Sequence, residues 1–198
     1  MDQSTATKPP AAGAGAPIAE LGLLVAAAAN VSAVVLFTLH DGANGGLPPS
    51  HGYLVVERSL FMVGMLLSAI AFCLLDDRGA GRANPLLRAG ALGYLAASIV
   101  GVVGESIDLE SSEIYSLFVT YVLAAFVSQT VIGLGLRAAR LVAPWVAWTT
   151  VAWNVACPVV LRLASPDDLY FPVLHLLMPL LIGVHMLLRR DVDAQTSS

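Results

Sequence analysis

Two glutamates and one histidine lie within or beside the most apolar stretches of the sequence, where ionisable groups are uncommon. Glu57 opens the run "ERSLFMVGMLL", Glu105 closes "IVGVVGES", and His175 lies inside "LHLLMPLL". Carboxylates and imidazoles exchange protons and bind divalent metals, and an ionisable group in an apolar span indicates function. We therefore predict that Glu57, Glu105 and His175 form a catalytic or metal-binding set.

Four further polar residues are candidates for binding a ligand beside that set. His40 and Arg58 fall near predicted helix ends on the same side of the membrane as Glu57. Gln129 and Asn154 fall deeper in their apolar segments. Interhelical hydrogen bonding is the alternative role for Gln129 and Asn154. Arg58 is turned about 100° from Glu57 around a helix, so we expect it to serve mainly as an anchor at the membrane interface.

The spacing of small residues predicts that both carboxylates point at neighbouring helices. Small side chains mark the faces on which membrane helices approach one another closely. Glu57 shares a helix face with Gly64 and Ser68. Glu105 ends a stripe with a spacing of four residues, made of Gly93, Ala97 and Gly101. We expect Glu57 and Glu105 to share a polar pocket; the alternative is that both are ordinary charges at helix ends.

The composition indicates a membrane protein. Of the 198 residues, 57% are hydrophobic and only 12% are charged, whereas a soluble domain is about a quarter charged. The isoelectric point near 5.4 and the scattered arginines argue against a nucleic-acid partner, which requires a clustered basic face.

The charged and turn-forming residues divide the chain into six apolar segments, each near the length of about 20 residues that a membrane helix needs. We predict an all-α fold, a compact bundle of six transmembrane helices in one domain over residues 18–190, with disordered tails at 1–17 and 191–198. The predicted spans are residues 21–39, 53–75, 85–107, 114–136, 141–161 and 169–188.

The distribution of basic residues predicts the orientation, because loops on the cytoplasmic side are enriched in Lys and Arg. The loops on one side of the six spans contain a single basic residue, Arg162; Arg58 is not counted because it lies inside the second predicted span. The other side has Lys8, Arg78, Arg82, Arg88, Arg137, Arg140, Arg189 and Arg190. We therefore expect a multi-pass protein of a bacterial plasma membrane, the cell inner membrane, with both termini cytoplasmic and with acids and histidines concentrated outside.

Several cofactor classes are excluded by missing motifs. The predicted spans contain no lysine for a retinal Schiff base, and the chain has no C-x-x-C-H motif for c-type haem and no P-loop for a nucleotide. The motifs do not specify any other cofactor, or a metal.

Three functions are compatible with this pattern. The first is an enzyme or binding protein with a carboxylate and histidine site near the outer leaflet, acting on a lipid or isoprenoid-like molecule by acid–base or metal-assisted chemistry. The second is a transporter, or a membrane subunit of a larger complex, whose polar residues join helices. The third is a structural or regulatory membrane protein without a small-molecule site. The expected partners are membrane lipid and either another membrane protein or a second copy of the chain.

Overall fold

The computed structural model describes residues 17–44, 51–78, 84–108, 115–164 and 173–195, and all regular structure within them is α-helical. The predicted tails fall mostly outside this part of the chain, although the last helix continues past the predicted boundary at residue 190. The six helices are α1 (Ile18–Asn44), α2 (His51–Arg78), α3 (Pro85–Asp108), α4 (Tyr115–Ala138), α5 (Pro144–Ala164) and α6 (Val173–Gln195).

The helices form a closed ring in chain order. Each helix packs against its two neighbours in sequence, and α6 returns to pack against α1. Neighbours are antiparallel: along α3, Gly90 faces Ile132 near the end of α4, whereas Gly101 faces Tyr121 near its beginning. The end of the ring that contains the C-terminus of α3 is called the Glu105 end. The opposite end, where α4 finishes, is called the Arg137 end.

Four of the six helices are long and apolar enough to cross a membrane, as judged from the described residues. These segments are Ile18–Phe37, Gly52–Asp76, Pro85–Ile107 and Val119–Ala138, and they coincide with the first four predicted spans. Many large apolar side chains on them are exposed, including Val25, Val63, Ile99 and Val127. Such a surface is suited to a lipid surrounding, while the fifth and sixth spans and the orientation stay predictions.

Glycines set the distances between neighbouring helices. A Cβ atom on Gly101 would lie 2.8 Å from Cδ2 of Tyr121, one on Gly90 would lie 2.7 Å from the backbone nitrogen of Ile132, and one on Gly135 would overlap the backbone of Leu87. These contacts run the length of the α3–α4 interface. Close backbone approach of this kind supplies the packing that stabilises helix pairs where the surroundings are as apolar as the side chains.

The turn between α4 and α5 explains why α5 begins at Pro144 rather than at the predicted residue 141. The amide of Arg140 donates to the carbonyl of Arg137, and the amide of Leu141 donates to the carbonyl of Leu136. The donor–acceptor distance is 3.0 Å in both bonds. This pair of bonds is a Schellman motif, in which Arg140 takes the left-handed conformation with φ of 57°. Proline then starts the next helix, where its missing N–H costs nothing.

The close α3–α4 contact predicts that Gly→Ala is destabilising at Gly135 but not at Gly52, on α2. Gly135→Ala should lower the free energy of unfolding by about 1–3 kcal/mol, because the added methyl group meets backbone atoms of Leu87. Backbone atoms cannot move aside by a change of rotamer. Gly52→Ala is the matched control, since a Cβ atom there meets nothing within 4 Å. Thermal melting of both variants in detergent measures the difference. Equal melting temperatures would contradict the close approach of α3 and α4.

Candidate functional site

Helix α2 has two buried rows, each spaced by seven residues, or about two turns. One row faces α1, since Gly64 contacts Asn30 and Ala71 contacts Gly22. The other row faces α3 and consists of Arg58, Met65 and Phe72, which contact Glu105, Gly101 and Tyr94 respectively. Adjacent positions on this helix therefore face different neighbours.

A buried ion pair joins α2 to α3 near the Glu105 end. The Arg58 Nη1 atom donates a hydrogen bond of 2.6 Å to Oε2 of Glu105. The Glu105 side chain is 1% exposed and that of Arg58 is 16% exposed. A bond between two ionised groups is short and strong, and removing one partner leaves a buried charge that costs about 3–5 kcal/mol.

The expectation that Arg58 is mainly an interfacial anchor is wrong. Its side chain turns into the α2–α3 interface and bonds Glu105. Glu57 and Arg58 are about 100° apart around the helix, but α2 has a neighbour on each of two sides. Glu57 is therefore buried, and the Arg58 side chain is only 16% exposed. The prediction assumed that α2 has one buried face, but a helix in a ring packs against two neighbours and buries two faces.

Glu57 is buried, as the small-residue pattern predicts. It belongs to the same row as Gly64 and Ala71, the residues that contact α1, whereas Glu105 bonds the row that faces α3. The structure thus buries both carboxylates at one end of the bundle but associates them with different helix interfaces. A pocket shared by Glu57 and Glu105 stays a prediction.

The other predicted site residues are separated from the ion pair or are not described. The side chains of His40 and His175 lie outside the described part of the structure, so their convergence with Glu105 stays a prediction. Asn154 is buried on α5, where its Nδ2 atom donates over 2.8 Å to the carbonyl of Thr150 in the same helix. That bond leaves its Oδ1 atom without a hydrogen bond among the described residues.

A second polar cluster lies near the middle of α2, α3 and α4. The hydroxyl of Tyr94 faces the side chains of Gln129 and Ser68, and all three residues are buried. Within the described residues, the Tyr94 hydroxyl and the Gln129 amide form no hydrogen bond of ordinary geometry. The Ser68 hydroxyl donates over 2.9 Å to the carbonyl of Gly64 in its own helix.

Tyr94 and Tyr121 were not predicted as site residues, although the sequence contains a signal for Tyr94. It lies eleven residues before Glu105, which is about three helical turns, and therefore on the same face. Tyr121 is fully buried on α4, packs against Gly101, and lies close enough to both Glu105 and Tyr94 to interact with them electrostatically. Aromatic rings in apolar spans are common, so the sequence alone does not distinguish these two. Tyr121 is distinguished by its interaction with Glu105, and Tyr94 by the polar side chains that it faces.

The site provides a guanidinium, buried carboxylates and hydroxyl groups, which are suited to binding an anion or exchanging a proton. No group of three or more His, Cys, Asp or Glu side chains that could hold a metal ion occurs among the described residues. Comparison of the chain with family models, with curated proteins and with solved structures gives no match. The function must therefore be argued from the site itself.

A double-mutant cycle tests the ion pair. Arg58→Gln and Glu105→Gln should each lower the free energy of unfolding by about 3–5 kcal/mol, because each removes the opposite charge from the 2.6 Å bond. The double variant should lose clearly less than the sum of the two, since neither charge remains. Denaturation in detergent gives the three values, with Arg88→Gln as the control at the exposed Arg88. Additive losses would contradict a direct Arg58–Glu105 interaction.

Proposed function

We propose that the chain is a multi-pass membrane protein that binds an amphiphile with an anionic headgroup at the Arg58–Glu105 pair. The observation that carries this proposal is a guanidinium held between two apolar helices with part of its surface still exposed. A charged group in such a position is costly, and where it occurs it commonly serves a ligand.

The membrane setting is supported by the pattern of exposed side chains and by the arginines. Four helices are long and apolar enough to span a bilayer. In the structure, Arg88, Arg137 and Arg189 lie at the Arg137 end, on α3, α4 and α6. The excess of basic residues at this end favours placing it in the cytoplasm of a bacterial cell. The Arg58–Glu105 pair then lies near the outer leaflet of the plasma membrane.

The chemistry of Arg58 favours an anion as the headgroup. A guanidinium has five N–H donors in a planar fork, which matches two oxygens of a phosphate or carboxylate. A ligand oxyanion can reach the exposed part of Arg58 and compete with the buried Glu105 for the guanidinium. A carboxylate that loses its cation in an apolar interior is more stable with a proton, so Glu105 is placed to take up or release one as the ligand exchanges.

The surroundings of the pair favour an apolar tail. Met62 and Ser106 meet beside the pair, where the Ser106 hydroxyl lies 3.6 Å from the Met62 sulfur, and Ser106 is exposed. Ile99 and Val103 continue this exposed apolar side of α3 toward the middle of the bundle. A lipid or isoprenoid chain can lie against this surface while its headgroup reaches Arg58.

The central cluster of Tyr94, Ser68 and Gln129 favours a second function, solute transport. Its buried polar atoms lie about eleven residues, or roughly 16 Å of helix, from Glu105. A polar group at that depth suits a path through the bundle rather than a site at its end. The two functions differ in the residues they need: amphiphile binding requires Arg58 and is independent of Gln129, whereas transport requires both.

The test uses an isoprenoid monophosphate as the probe and the corresponding uncharged alcohol as its control. The phosphate should raise the melting temperature of the protein in detergent, and the alcohol should not. Arg58→Gln should weaken phosphate binding about tenfold or more, because the bidentate partner is lost. Arg88→Gln, at the opposite end, and Gln129→Leu should leave binding at the wild-type level.

Two results would contradict amphiphile binding at this pair. One is a wild-type protein that responds equally to the phosphate and the alcohol. The other is an Arg58→Gln variant that is folded and binds the phosphate as the wild type does. If Gln129→Leu is as damaging as Arg58→Gln, the site is not confined to the Glu105 end, and the transport function is favoured instead.

A further inference from the structure

A groove at the Arg137 end of the bundle combines positive charge with apolar walls. It has a volume of about 980 Å³ and lies where α3, α4, α5 and α6 meet. Three of the residues that line it are arginines, from α4, the α4–α5 turn and α6: Arg137, Arg140 and Arg189. Its apolar walls include Leu86, Leu134 and Val142. In the sequence, these arginines indicate only the orientation of the helices.

Two of the arginines are oriented by contacts with groups other than carboxylates. The guanidinium of Arg137 lies 4.7 Å from the centre of the Trp148 ring, a cation–π contact. The Nη1 atom of Arg189 lies 3.4 Å from the carbonyl oxygen of Arg140, to which it donates. Neither contact uses a carboxylate, so both side chains keep their positive charge for another partner.

The first turn of α5 adds a partial positive charge to the same groove. Nε2 of His185 accepts a hydrogen bond of 3.1 Å from the amide of Ala143, immediately before Pro144. The imidazole also packs edge-on against Trp145, with the ring centres 5.7 Å apart. These contacts hold the beginning of α5 against α6. The N-terminal end of a helix attracts anions, because its amides and its dipole point outward.

Acidic side chains described at this end lie beside other arginines. An Asp76 oxygen is 3.8 Å from Nε of Arg88, and a Glu20 oxygen is 3.6 Å from Nη1 of Arg190. No carboxylate is among the residues that line the groove in the described part of the chain. The groove therefore has three formal positive charges and a helix N-terminus facing one volume.

We propose that this groove binds the phosphate group of an anionic membrane phospholipid. The three arginines would contact the phosphate oxygens, since arginine binds phosphate well, and the positive end of the α5 dipole would favour the anion. The apolar walls, and the exposed rings of Trp145 and Trp148 beside them, favour a lipid over free phosphate because they offer contacts for the glycerol and acyl chains. A basic pocket between helices on the cytoplasmic side is a known setting for lipid headgroups. The inference is independent of amphiphile binding at Arg58.

Lipid-dependent melting of the delipidated full-length protein in detergent tests the proposal. Phosphatidylglycerol should raise the melting temperature, while phosphatidylcholine and inorganic phosphate at the same concentration should not. Arg137→Gln and Arg189→Gln should each weaken the apparent affinity for phosphatidylglycerol about tenfold. Arg88→Gln is the matched control, because Arg88 is an exposed arginine at the same end that does not line the groove. It should bind phosphatidylglycerol like the wild type.

Each departure from this pattern overturns a defined part of the proposal. Equal effects of phosphatidylglycerol and phosphatidylcholine would show that charge is not recognised. Stabilisation by inorganic phosphate alone would make free phosphate the ligand in place of a lipid. Wild-type affinity in Arg189→Gln, whose exposed side chain can be replaced without disturbing the core, would exclude the groove even if Arg137→Gln does not fold. An equal loss in Arg88→Gln would indicate nonspecific attraction to the basic end.

Discussion

The contact on which the arrangement of α2 and α3 depends is the buried bond between Arg58 and Glu105. Each charge would be costly alone in an apolar interior, so the two helices must be placed to bring them together. Once this pair is formed, Met65 reaches Gly101, Phe72 reaches Tyr94, and Asp76 reaches Arg88, each at the matching level of the antiparallel helices. A shift of α3 by one residue would separate the pair and misalign all three contacts. The ion pair thus specifies one alignment among several that apolar packing alone would tolerate.

The glycines act in a different way, because they set distance rather than alignment. Gly90, Gly101 and Gly135 let α3 and α4 approach to backbone contact, and Gly64 leaves room for the side chain of Asn30. The result is a scaffold in which polar groups are held at two levels: the charged pair near one end and the Tyr94 cluster near the middle. The arginine groove at the other end is built differently, from a turn and two helix termini rather than from tight packing.

Much of the helical architecture is predictable from the sequence, because apolar length and charged breaks are local signals. The first four predicted spans match helices that are apolar and long enough to cross a membrane. The burial of Glu57 and Glu105 also follows from small residues at helical spacing. The start of α5 was missed by three residues, since a left-handed arginine at position 140 takes a role that glycine usually fills.

Features that depend on contacts between distant segments could not be predicted. The bond of Arg58 to Glu105 joins residues 47 positions apart, and that of Ala143 to His185 joins residues 42 positions apart. No local pattern shows that α2 buries two faces, which is why Arg58 was assigned to the membrane interface. The groove likewise depends on the closing of the ring that brings α6 beside the α4–α5 turn. The sequence also leaves several functions open, because a site is defined by side chains that converge in space. Their order in the chain does not show which of them converge.

We propose that these helices cross a membrane, with the Arg58–Glu105 pair near the outer surface and the arginine groove near the cytoplasm. Single cysteines in a background lacking Cys73 and Cys157, labelled in intact cells with an impermeant thiol reagent, provide the test. Ser111→Cys, which follows α3, should be labelled, whereas Gly79→Cys, which follows α2, should be labelled only after the cells are opened. Labelling of Gly79→Cys but not Ser111→Cys would reverse the orientation and place Arg58 on the cytoplasmic side. Labelling of both in intact cells would contradict a membrane crossing by α3.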